Sequence, residues 1–134
     1  MIPSQFIGLG IDSIEINRFE AWKNLNPNQL KKIFFPEEID YCLKIPIKSN
    51  ERLAGYFAAK EAAYKALSQI LKAPIPFIAC TKSIKIVKNG SNAPLLEINW
   101  KILTNNNETT DPIKSYVSIT HTKTVATAIV IFSK

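Results

Sequence analysis

The chain has 134 residues, 46% of them hydrophobic, with a formal net charge of +6 and a pI near 9.4. That size and apolar content predict one domain over residues 1–134, and no apolar run approaches the roughly 20 residues that a membrane-spanning helix needs. Cys42 and Cys80 lie far apart, with no C-x-x-C pair and only one histidine, so neither a structural zinc site nor a disulfide framework is indicated.

In chain order, residues 6–11 form an apolar run that predicts a buried strand, ending in the carboxylate Asp12 where the strand gives way to a polar turn. A helix is expected over 16–23, with Ile16, Phe19 and Trp22 sharing a face. Pro27 suits the first turn of a short helix through Ile33. Pro36, followed by Glu37 and Glu38, has the composition of another helix start, and that helix should end before Pro46. A long helix begins near Ser49 or Asn50, either able to cap it, and runs to about Leu71, where Pro74 and Pro76 bar extension. Leu53, Phe57, Tyr64, Leu67 and Leu71 form its expected buried stripe.

Residues 84–87 and 95–100 read as two strands of a hairpin around the turn-rich 89–94 segment. Residues 105–112 are polar and unpatterned, the composition of an exposed loop. Strands over 116–120 and 125–132 close the chain, the last apolar enough to be central. Helices and strands do not alternate regularly and no repeat is visible, so the expected class is α+β.

The charge favours an anionic partner, which could be nucleic acid, acidic protein, a membrane surface or a phosphate-rich small molecule. A nucleic-acid-binding domain has the charge as its only support: the lysines are dispersed, Arg18 and Arg52 are the only arginines, and no zinc-finger spacing or RNA-recognition aromatic motif occurs. The start, Met1-Ile-Pro-Ser-Gln, lacks signal-peptide features, so a cytoplasmic protein is expected. Gly8-Leu-Gly-Ile-Asp12 has too few glycines for a dinucleotide-binding turn.

The chemistry concentrates in two places. Glu61 and Lys65 lie one helical turn apart in an Ala-rich helix, able to set a metal ligand beside a phosphate cation, and Asp12 supplies a second carboxylate from a different element. Taken singly, Asp12 reads as a helix cap and Glu61 with Lys65 as a surface ion pair.

Three segments together carry a family resemblance: G-I-D-S-I-E-I-N-R at 10–18, F-A-A-K-E-A-A-Y-K-A-L at 57–67 and V-S-I-T-H-T at 117–122. In this order they resemble holo-acyl-carrier-protein synthase, the short bacterial type of 4'-phosphopantetheinyl transferase. The resemblance implies a small, mainly antiparallel sheet packed on a long central helix. It also implies transfer of 4'-phosphopantetheine from coenzyme A to a serine of apo acyl carrier protein, in fatty acid biosynthesis, with release of 3',5'-ADP. Asp12 and Glu61 are then the Mg²⁺ ligands and Lys65 the cation at the diphosphate. The residue that deprotonates the serine stays open between Asp12, Glu61 and a metal-bound water.

By the same resemblance Lys60, Lys65 and His121 belong to the coenzyme A site, His121 reaching that of a neighbouring subunit in a homotrimer. Arg18 with Trp22 would dock the acidic carrier protein, extended by Lys31 and Lys32. The chain departs from the family in having Tyr56 where an arginine usually precedes F-A-A-K-E, no glycine-rich turn after the long helix, and Asn92-Ala-Pro94 in place of a glycine-containing turn. Arg52, one turn before Tyr56, is the candidate replacement cation for coenzyme A.

Overall fold

The computed structural model describes residues 5–104 and 112–134; the expected loop at 105–112 lies almost wholly outside them. Strand β1 covers Phe6–Glu15, and two 3-10 turns follow at Ile16–Phe19 and Trp22–Asn24. Helices α1 (Pro27–Leu30), α2 (Pro36–Leu43), α3 (Ser49–Ser68) and α4 (Phe77–Ser83) come next, then strands β2 (Ile84–Lys88) and β3 (Pro94–Ile98). Helix α5 (Trp100–Leu103) precedes strands β4 (Lys114–His121) and β5 (Val125–Ser133). One antiparallel sheet has the order β1-β5-β4, with the apolar β5 in the centre, and β2 pairs with β3 in a separate hairpin.

Helix α3 lies across β1 and β5. Its expected leucine and aromatic stripe is only part of what it buries, for Ala54, Ala58, Ala59, Ala62, Ala63 and Ala66 are fully covered. Small residues on the helix meet small residues on the strand. A methyl group on Gly10 would fall 1.8 Å from the Ala62 carbonyl oxygen, and one on Gly8 would fall 2.7 Å from that of Ala66. The Gly8-Leu-Gly10 pattern therefore exists for close approach of strand to helix. This approach sets β1 carboxylates beside α3 side chains.

Several sequence expectations change. The first strand runs four residues past Ile11, so Asp12 stands inside it, opposite Ala128, and not at its end. The strand alternates: Gly10 and Ile14 face α3, while Leu9 and Ile11 are 51% and 58% exposed on the other face. The expected helix over 16–23 breaks into two 3-10 turns. Neither Ser49 nor Asn50 caps α3, whose N-cap is Lys48; Ser49 Oγ instead donates to the Ile45 carbonyl. Helix α3 ends at Ser68, three residues early. The third expected strand stops at Ile98, and Trp100 opens α5, capped by the Asn99 side chain.

Cys42 and Cys80 are buried and unpaired, and burial pushes the Cys80 thiol up to about 12. They fill space as expected. Among the described residues no helix is long and apolar enough to cross a membrane.

Candidate active site

The contact between β1 and α3 brings Asp12, Glu61 and Lys65 together. Lys65 Nζ donates to Asp12 Oδ1 at 3.1 Å and to the Ile11 carbonyl at 3.0 Å, while remaining about half exposed. Its own carbonyl accepts from Ser68 Oγ at 2.6 Å, which ties down the last turn of α3. The Glu61 carboxylate makes no hydrogen bond or ion pair among the described residues. Burial and then the Asp12 charge raise its proton affinity, and Lys65 and Arg18 act the other way. Two carboxylates that repel each other beside cations, one of them uncommitted, form an acceptor-rich pocket suited to positive charge.

No cluster of three or more His, Cys, Asp or Glu side chains occurs among the described residues. Asp12 and Glu61 are nevertheless the donor set that Mg²⁺ uses when phosphate and water oxygens complete its octahedron. The mutual repulsion expressed at Glu61 is what a divalent cation between the two would relieve. The residues fit the ion.

Lys60 corrects its expected phosphate-facing role. It is completely buried, paired with Glu38 Oε1 at 2.9 Å, and donates to the carbonyls of Thr81 at 3.1 Å and Ile84 at 2.8 Å. All three ammonium hydrogens are used. Glu38 is equally committed, accepting from Phe35 N–H at 2.7 Å and Ile86 N–H at 2.9 Å. No ligand can reach Lys60 without breaking this cluster. The sequence places Glu38 only as an acid near a helix start, and no local signal joins it to a lysine 22 positions on.

Arg18 is exposed at the end of the first 3-10 turn, and Lys31 and Lys32 are exposed near α1. Trp22 differs from the expected docking surface: it is half-buried, with its ring 4.7 Å from Phe19, 5.6 Å from Phe57 and 6.4 Å from Phe34. It chiefly packs within this aromatic cluster. His121 ends β4 in the row of Ala126 and Ile14, and its Nδ1 lies 3.5 Å from Glu51 at the start of α3. Within the chain it is thus at the other end of α3 from Lys65. The Arg52 guanidinium lies over Tyr41, and Tyr41 stacks on the buried Tyr56.

Residues 8–130 match the model of the 4'-phosphopantetheinyl transferase superfamily. A holo-[acyl-carrier-protein] synthase of Caldicellulosiruptor bescii is 37% identical over 127 residues, covering 94% of this chain and 97% of the relative. A solved structure of the Helicobacter pylori holo-[acyl-carrier-protein] synthase in complex with coenzyme A is 31% identical, with a TM-score of 0.69 over 92% of this chain and 98% of the other. An enzyme–coenzyme A complex from Chronobacterium ammoniagenes has a TM-score of 0.76 over 98% and 97% of the two chains; at 24% identity it speaks for the fold.

Proposed function

Since the chain belongs to the 4'-phosphopantetheinyl transferase superfamily, we propose that it is a Mg²⁺-dependent, cytoplasmic holo-acyl-carrier-protein synthase that acts as a homotrimer in lipid metabolism. It transfers the phosphopantetheine arm of coenzyme A to a serine of apo acyl carrier protein. The observation that carries the reading is the convergence of Asp12, Glu61 and Lys65, the residues of two separate motifs, across the β1–α3 contact.

In the reaction the serine oxygen bonds to the pantetheine-bearing phosphorus of the diphosphate, and the bond from that phosphorus to the bridging oxygen breaks. The serine proton is lost and 3',5'-ADP leaves. Charge gathers on phosphate oxygens, so the demand is for fixed cations and positioning. Asp12 and Glu61 would hold Mg²⁺, which when bound supplies charge neutralisation at the diphosphate. Lys65, anchored on Asp12 and the Ile11 carbonyl, presents an exposed ammonium to the leaving phosphate. The acceptor of the serine proton is a carboxylate oxygen of Glu61 or Asp12 that the ion would leave free, or a water at the site.

Arg18, exposed and near enough to Glu61 for its charge to act on that carboxylate, provides a guanidinium for carboxylates of an acidic carrier. The sheet face away from α3 bears Leu9, Ile11 and Tyr116, all exposed, beside Ile129 and Ile131. So large an apolar patch supports self-association, and a trimer would let the distant His121 serve a neighbour's coenzyme A. The test is release of 3',5'-ADP followed by chromatography: it should require the apo carrier, stop on chelation with EDTA and return with Mg²⁺. Carrier-dependent release that survives complete metal removal would refute the metal assignment. Light scattering at the mass of a monomer would refute the trimer.

A further inference from the structure

We propose that Gln69 is a positioning residue for the transfer: its side-chain carbonyl pins the free edge of β1 to the end of α3 and so fixes the register in which Asp12, Glu61 and Lys65 meet. The inference rests on the transferase reading above. Gln69 Oε1 accepts from the Leu9 N–H at 2.8 Å, joining residues 60 positions apart. Gln69 is the C-cap residue of α3, and Leu9 lies in β1, an edge strand of the three-stranded sheet.

Strand geometry gives this bond its consequence. Successive residues of a paired strand turn their backbone groups alternately toward the partner strand and away from it. In β1, Leu9 and Ile11 turn theirs away from β5, and α3 side chains meet them: the Leu9 N–H goes to Gln69, and the Ile11 carbonyl accepts from Lys65 Nζ at 3.0 Å. Two strand residues span about 6.6 Å and four helical residues about 6 Å, so a helix row at every fourth position keeps step with every second strand residue. Gln69 and Lys65 are successive members of such a row, and Glu61 is the next. The first two hold the β1 backbone, which leaves Glu61 as the open rung, close enough to feel the Asp12 charge.

Lys65 is a poor register pin by itself, being an ammonium on a flexible stem that is about half exposed. Gln69 supplies a second, neutral contact one turn farther along. Its neighbours work in the same place: Ser68 Oγ donates to the Lys65 carbonyl at 2.6 Å, and a methyl group on Gly8 would fall 2.8 Å from Ile70 Cδ1. Residues 68–70 therefore fasten helix to strand in the segment that the sequence marks only as lacking a glycine-rich turn. Gln69 is exposed, so the fold does not depend on its packing. Without the pin β1 can shift against α3, and a displacement of about 1 Å at a reacting centre can cost about 10²-fold in rate.

The experiment compares the wild-type chain with Gln69→Ala and Gln69→Met, the second keeping the length of the side chain without its acceptor, by amide hydrogen exchange at Leu9, thermal melting and transfer kinetics. Both variants should speed exchange of the Leu9 amide roughly fivefold, as the loss of one hydrogen bond implies. Both should lower kcat roughly tenfold, with the carrier-protein KM and the melting temperature little changed. An unchanged Leu9 amide would show that the pin does not exist. A faster amide with wild-type kcat would separate Gln69 from the site, and a kcat loss matched by a fall in melting temperature would make its role structural only. Each of these three results overturns the proposal. Failure of the wild type to transfer at all would instead sink the reading beneath it, and because exchange at Leu9 needs no substrate the two failures are told apart.

Discussion

Lys60 and Glu61 are neighbours in the chain and opposites in the structure. Lys60 points into the seam between α2, α3 and the α4–β2 junction, where Glu38 and two carbonyls occupy every hydrogen of its ammonium. Glu61 turns toward β1, where it meets Asp12 and Lys65 and keeps its carboxylate uncommitted. One residue step rotates a helix by about 100°, enough to send adjacent charges into different environments. A satisfied buried charge holds structure and has no capacity left for chemistry; an unsatisfied, partly exposed one keeps that capacity.

Variants on the two sides should therefore fail differently. The largest effect is expected at the buried pair. Lys60→Met leaves the Glu38 carboxylate buried without its counter-charge and should cost about 3–5 kcal/mol of stability in denaturant melts. Adding Glu38→Gln removes the bare charge and should recover part of that loss. A single variant as stable as the wild type would erase the distinction between the two sides.

On the open side, Asp12→Ala should lower the transfer rate by about 10²–10³-fold, the cost of removing one electrostatic contact at a reacting centre, with the melting temperature little changed. A rate loss explained by unfolding would move Asp12 to the structural side. Farther from the reacting atoms, Arg18→Ala should raise the carrier-protein KM roughly tenfold with little change for coenzyme A. That preference should fade with salt, since exposed charges are screened beyond about 10 Å at 0.1 M. Equal changes for both substrates would take Arg18 off the docking surface.

The smallest effect concerns protons. Folding raises the proton affinity of Glu61 above its ordinary value of 4.5, first through burial and then through Asp12. Between 4.5 and the raised value the native state binds more protons than the unfolded chain, so this group's contribution to stability falls as pH climbs and the penalty is complete above that window. In metal-free buffer Glu61→Gln should melt slightly above the wild type at pH 7, with the gap closing below pH 4.5. A gap independent of pH would assign the change to packing.

Much of this division was legible in the sequence, for particular reasons. Ala-rich residues 57–67 bounded by prolines could only be a long helix, and β5 was apolar enough to occupy the sheet centre. The Glu61–Lys65 pair was legible from helix periodicity, whereas joining Asp12 to it came from the resemblance carried by the three motifs; in the fold Gly8 and Gly10 let the two elements touch. The position of Asp12 inside β1 was not legible, because Ile11 faces solvent while Asp12 faces α3, the reverse of what hydropathy alternation assigns. Helices α4 and α5 escaped because they are seven and four residues long and depend on tertiary packing and the Asn99 cap. The Lys60–Glu38 pair and the grouping of Arg52 with Tyr41 join residues from separate elements, a relation that no local pattern encodes.

The most direct measurement is the intact mass of an apo acyl carrier protein incubated with coenzyme A, Mg²⁺ and this chain, wild type beside Glu61→Gln. The account predicts a gain of one phosphopantetheine with the wild type and none on the same timescale with the variant, although the variant is folded. Labelling by Glu61→Gln at the wild-type rate would contradict the assignment of the open side of α3 as the reacting side.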